Sequence, residues 1–181
     1  MKKIGTINLT TGKVIITDPC YNKGTWCTAT VENVHKGEWE VYVDEVNAGM
    51  WGNRIGQLEI RAVGQEVTDQ EELDADIGVD AGLCGIFEDK PDYGDGRWST
   101  LCDDHFFNNS YGIATKENGF GCVGCWSSSG YGDGSYVATV AYNEEGEVVG
   151  INIDYGVSAD DDDEYEDEYE DEDESESGVE F

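Results

Sequence analysis

Positive charge is scarce in this chain of 181 residues: ten Lys and Arg stand against forty-one Asp and Glu, a formal net charge of −31. Affinity for DNA or RNA rests largely on cations that neutralise phosphates, so this composition argues against direct nucleic-acid binding. It favours basic proteins, cations, or a site that normally holds nucleic acid; surplus charge also serves solubility alone. Long apolar runs are missing too. None approaches the roughly 20 residues of a membrane span, and the stretch after Met1-Lys2-Lys3 lacks the apolar segment of a secretory signal. The expectation is a cytoplasmic protein without membrane attachment. No Gly-x-Ser-x-Gly elbow, phosphate-binding P-loop or dinucleotide fingerprint occurs. With two histidines, His35 and His105, nucleophilic catalysis has little to draw on. No catalytic residue is assigned.

What is abundant is acid, and it is concentrated at one end. Fifteen acidic residues and no Lys or Arg lie between Asp160 and Glu180, beginning Asp160, Asp161, Asp162, Asp163, Glu164, Glu166 and Asp167. Repulsion at that density opposes compaction, and almost no aliphatic residue precedes Val179 and Phe181 to offset chain entropy. Residues 159–181 therefore read as a disordered acidic tail tipped by Phe181. Removing its fifteen acids leaves twenty-six against the ten cations, a net charge near −16 for residues 1–158. That stretch is long enough for one domain with its own core.

The hydrophobic pattern of residues 1–158 has mainly period two. Glu40–Val46 and Gln57–Val63 alternate polar and apolar; Ile4–Leu9, Lys13–Thr17, Trp26–Val31, Ser135–Tyr142 and Glu147–Asp154 are further short segments rich in Val, Ile, Thr and Tyr. Thr10-Thr11-Gly12 and Asn143–Gly146 read as hairpin turns, which pairs 4–9 with 13–17 and 135–142 with 147–154. Twenty-four glycines and two prolines fit a mainly β fold, a single antiparallel β-sandwich or partly open barrel. Helix is confined to two short candidates. One is a turn over Asp69–Leu73, with Thr68 as cap and Glu71 closing a capping box. The other runs from Arg97 to Phe107, with Trp98, Leu101, Cys102 and Phe106 on one side.

Three constellations carry possible chemistry. Cys122 and Cys125 form a C-x2-C pair, half of a zinc site, but a structural zinc needs four ligands and no second closely spaced pair is present. The alternatives are packed thiols or a redox pair; free cysteines in a reducing compartment commonly serve as small core residues. Carboxylates beside glycines (Asp18, Asp80 and Asp133 with Gly134, joined by His105 as a metal ligand or base) would suit calcium or magnesium if clustered. Asp-Gly pairs otherwise make tight turns. Thirdly, Trp26, Trp39, Trp51, Trp98, Trp126, Tyr131 and Tyr136 lie near glycine-rich loops, where rings serve either as core or as partner platforms.

The segments Ile16-Thr17-Asp18-Pro19-Cys20-Tyr21, Val79–Phe87 and Gly130-Tyr131-Gly132-Asp133-Gly134-Ser135-Tyr136 occur in that order. In this the chain resembles the small bacterial and phage proteins grouped as DUF4241, a domain of unknown function, over residues 4 to 156. The resemblance implies a single β-rich domain and no particular reaction, and it draws Asp18, Asp80, Asp133 and Gly134 together. The Cys122–Cys125 stretch and the tail depart from it.

The tail is also similar in chemistry to the phenylalanine-tipped acidic tails of single-stranded DNA-binding proteins, which dock in basic, apolar pockets on partners; the cation-lined groove of a strand-binding fold is lacking here. The leading expectation is a non-enzymatic acidic binding protein of phage or bacterial origin that occupies a basic site on a partner protein, with an inhibitor or anti-defence role as one form. The alternatives are a metal-dependent hydrolase or small-ligand protein using the aspartates, and a structural or assembly protein.

Overall fold

A computed structural model describes residues 1–159; the tail residues Asp160–Phe181 expected to bind partners lie outside the described part. The described residues are mainly β, with two antiparallel sheets and one short α-helix. In the first sheet the order is β1 (Lys2–Leu9), β4 (Gly37–Asn47), β5 (Asn53–Ala62), β12 (Val148–Asp154), β11 (Gly134–Tyr142) and β6 (Asp69–Glu72). The short strand β7 (Ile77–Val79) also pairs with β11. The second sheet runs β3 (Ala29–Glu32), β2 (Lys13–Thr17), β8 (Leu83–Glu88), β10 (Val123–Ser128) and β9 (Tyr111–Ala114).

The alternation read from sequence sets which residues are buried. Along β4, Trp39, Val41 and Val43 are buried and their neighbours are not. Ile7, Val41, Ile60 and Ile151 of the first sheet share one buried cluster with Val14, Ile16, Ala29, Ile86 and Cys125 of the second. Strand β8 is buried along its whole length, so its two faces serve different clusters. Cys84 and Ile86 belong to the shared cluster, whereas Leu83 and Phe87 join Trp126, Phe120 and Leu101 in a second one. That second cluster is completed by α1 (Asp95–Leu101) and the π-helical turn Cys102–Phe106 that extends it. The helix expected over Arg97–Phe107 is thus present, and Trp98, Leu101 and Phe106 do lie against one cluster.

The β11–β12 hairpin forms as expected, Val137 facing Asp154 and Val140 facing Ile151. The first expected hairpin does not. β1 pairs with β4, and β2 pairs with β3 and β8, so residues 10–12 carry the chain from one sheet to the other. The cause is Glu88, only 6% exposed, at the end of β8. Its Oε1 accepts the backbone N–H groups of Thr10 and Thr11, both at 2.6 Å, and its Oε2 accepts the Thr10 hydroxyl at 3.1 Å. Donors that a hairpin turn would have used locally are held by a carboxylate from the second sheet. Leu9 and Val14 then reach the shared cluster from different sheets.

The helical turn expected at Asp69–Leu73 is the edge strand β6, paired with Thr139–Tyr142 of β11. Thr68 caps nothing: both its backbone N–H and its hydroxyl donate to the Tyr142 carbonyl. A capping box and a polar edge strand share a composition, and here the free edge of β11 offered more hydrogen bonds than one isolated turn. All four β6 residues are exposed, three of them acidic, which guards the sheet margin against pairing with other chains. The expected strand Trp26–Val31 begins only at Ala29, and Trp26 stands in a turn, 81% exposed.

Candidate functional site

Three separated segments meet at one end of the sheets: the residues after β2, the β7–β8 turn, and the loop Ser129–Gly134 before β11. Asp18, fully buried, is the knot. Its Oδ1 accepts the Cys20 N–H at 2.9 Å; its Oδ2 accepts the N–H groups of Asp80 at 2.9 Å and Ala81 at 2.6 Å. Asp133 Oδ1 takes the Gly82 N–H at 3.0 Å, and the Gly82 carbonyl accepts the Ser129 N–H at 3.0 Å. The Tyr136 hydroxyl closes the loop, lying 2.9 Å from the Ser129 carbonyl and 2.6 Å from that of Gly132. Gly82 adopts a φ of +65°, open to glycine at little cost, and this lets the turn pass beside Gly132.

Asp18, Asp80, Asp133 and Gly134 are thus brought to one region, but their groups are used differently from the cation-site expectation. The Asp18 carboxylate is engaged by three backbone donors, while Asp80 contributes its own N–H to that clasp. A carboxylate holding several amides is a backbone fastener, strong because the acceptor is charged. Among the described residues no group of three or more His, Cys, Asp or Glu is placed to hold a metal ion. His105 stands apart on the π-helical turn, its Nε2 2.9 Å from the Asn118 carbonyl and its ring against Phe120. His35 meets Glu147 at 2.9 Å instead.

The C-x2-C thiols are not brought together. Three residues apart on an extended chain, Cys122 and Cys125 face opposite ways: Cys122 joins the second cluster with Phe120 and Trp126, Cys125 the cluster shared by the sheets. Burial is the first cause that raises both thiols, Cys125 to about 12, so thiolate is disfavoured at each. All six cysteines are free.

Against the clasp lies a cleft of about 760 Å³. Ala81, Gly82 and Leu83 form one wall; Asn53, Arg54 and Ile55 at the start of β5 form another; Trp98, Phe106 and Phe107 of the helical segment form the third. The volume is that of a small-molecule site. Arg54 is half-buried with its Nε enclosed and without a hydrogen-bond partner. Beside the cleft, Trp51 (61% exposed) packs edge-on to Tyr131 at 5.8 Å, and Met50 is 99% exposed. Of the seven aromatic residues singled out in the sequence, Trp39 and Trp126 are core, Trp98 and Tyr136 half-buried, and Trp26, Trp51 and Tyr131 exposed.

Sequence reasoning missed Arg54, Phe107 and Lys90. Lys90 is 5% exposed; its Nζ donates to the Tyr21 and Pro91 carbonyls and lies 4.4 Å above the Tyr93 ring, and burial draws its ammonium below the ordinary value. The available signal for Arg54 was rarity, one of ten cations, set two residues after an aromatic-glycine pair.

No family model, curated protein or solved structure matches the chain.

Proposed function

We propose that this is a non-enzymatic binding protein that docks an acidic surface onto a basic site of a partner protein, in the manner of an inhibitor. The observation that carries this reading is the exposed Met50–Trp51–Tyr131 group on a strongly acidic chain. Trp and Tyr are over-represented among residues that dominate binding energy, and flanking charge accelerates encounter while excluding wrong partners. The cluster shared by the two sheets supports a face-to-face β-sandwich as the scaffold. The meeting of the three motif segments at one end supports kinship with the DUF4241 proteins. No helix among the described residues is long and apolar enough to cross a membrane.

The test is capture of basic proteins from a bacterial lysate by the immobilised full chain, repeated with Trp51→Ser and with the chain ended after Ala159. Loss of a basic protein in the first variant and slower association in the second, with the difference shrinking as salt rises past about 0.15 M, is expected. A partner retained equally by all three overturns the reading.

A further inference from the structure

We infer that the cleft between the β4–β5 hairpin, the 81–83 turn and the helical segment is a binding site for a small organic anion: a carboxylate or phosphate joined to a flat apolar body. This goes beyond the partner-binding proposal and does not depend on it, since it concerns the floor of the cleft and not the aromatic rim.

Among the described residues, Arg54 is the one cation in the lining of this cleft. The chain holds forty-one acids for ten cations, so a carboxylate would be expected beside any half-buried guanidinium. Lys2, Lys3, Lys13 and Arg61 each have one within 4 Å; the other six cations are in no ion pair of the described residues. Of these, the buried Lys90 and the exposed Arg97 donate to backbone carbonyls, whereas the Arg54 side chain has neither kind of partner. Its Nε is shut off from water and donates to nothing. The two terminal amino groups of the same guanidinium are not enclosed and have no acceptor among the described residues, so they are the donors left for an acceptor in the cleft. A planar guanidinium is matched best by a carboxylate or phosphate, which takes two parallel N–H bonds.

The rest of the lining specifies the remainder of the ligand. Trp98 and Phe106, 5.4 Å apart and tilted at 42°, and Phe107, 75% exposed, give an apolar aromatic wall on the helical side. Asn53, Asn108 and Asn109 place amides around it that accept or donate to substituents on a ring. The one carboxylate in the lining, Glu45, is already engaged by Lys2 at 3.6 Å. The site is also held in shape before any ligand arrives. The Ala81–Gly82 wall is tied down by Asp18 and Asp133, and Arg54 sits in register opposite Val46 on the hairpin.

Phenyl phosphate, benzoate and the neutral benzyl alcohol serve as probes, followed by the Arg54 Nε–H resonance of the ¹⁵N-labelled full chain. Phenyl phosphate or benzoate is expected to shift that resonance saturably, with dissociation constants near or below ~1 mM, and benzyl alcohol to leave it in place. Which of the two anions binds tighter distinguishes a phosphate from a carboxylate ligand. Arg54→Gln, with the amide spectrum confirming its fold, is expected to weaken the anion about tenfold or more. Phe107→Ser, at an exposed position that puts folding at little risk, is expected to weaken it several-fold. Two results overturn the assignment: no movement of the Arg54 resonance with either anion up to ~10 mM, or equal affinity in Arg54→Gln followed by backbone amide shifts. Neither result bears on capture of a protein partner through Trp51.

Discussion

The clasp and the rim beside it treat their polar and aromatic groups to opposite effect. Around Asp18, polar groups are answered from within the chain: three amides for one carboxylate, Asp133 for Gly82, Tyr136 for two carbonyls. At the adjoining end of β4–β5, Met50 and Trp51 lie open to solvent and the Nε of Arg54 is left unanswered. Burying groups so completely serves stability, whereas an exposed methionine and indole and an unpaired guanidinium are what the two proposed binding roles draw on. The rigid side also supports the open one, because the Ala81–Gly82 turn fastened by Asp18 is a wall of the cleft.

Breaking the clasp should give the largest effect. Asp18→Asn is isosteric, yet its NH₂ must face at least one of the amides now bound to a carboxylate oxygen, donor against donor. The expected loss is about 2–4 kcal/mol in denaturant unfolding. A loss within experimental error would mean the three amides have other acceptors. The inter-sheet tie is the informative contrast. In Glu88→Gln the amide oxygen can keep the Thr10 and Thr11 N–H bonds, and its NH₂ can turn toward the Thr10 hydroxyl, which reverses its role. Only charge assistance is lost, about 1 kcal/mol.

That difference carries a pH signature. Burial alone would raise the Glu88 carboxyl, but the amide and hydroxyl bonds of Thr11 and Thr10 outweigh it and hold the group below its ordinary 4.5. A depressed carboxyl stabilises the fold fully above the unfolded value, and the contribution fades as pH falls through the folded one. Wild type and Glu88→Gln should therefore differ at pH 7 and converge under acid, by paired unfolding curves. A gap that persists below the folded value would assign the effect to packing.

Much of the strand layout was legible because period-two burial acts residue by residue: Trp39, Val41 and Val43 are buried where alternation places them. Partnering was less so. Nothing local says that Glu88, seventy-seven residues from Thr11, will take the amides of an apparent hairpin turn. The edge strand β6 was likewise hidden, since Thr-x-x-Glu satisfies a capping box as well as a sheet margin and only the vacancy beside β11 decides. At the site, the motifs drew the aspartates together, but the identity of a carboxylate's partners is a tertiary fact; three backbone amides engage Asp18. Arg54 offered only the signal of its rarity, because a missing partner leaves no trace in sequence.

The smallest expected effect sharpens the comparison from its open side. Met50 and Trp51 sit in the short 3₁₀ turn Gly49–Trp51, none of whose residues is buried, and the turn is held by the backbone bonds of Trp51 and Ala48. Replacing both with Ser removes apolar area already in water, so stability should change by no more than about 0.5 kcal/mol, the edge contact with Tyr131 being the main term lost. Thermal unfolding of the double variant checks this. If it unfolds much earlier, the rim is a structural element like the clasp, and the argument that its exposure serves a partner fails. If stability holds while capture of the basic partner is lost, the clasp and the rim beside it divide the work as their hydrogen bonding implies.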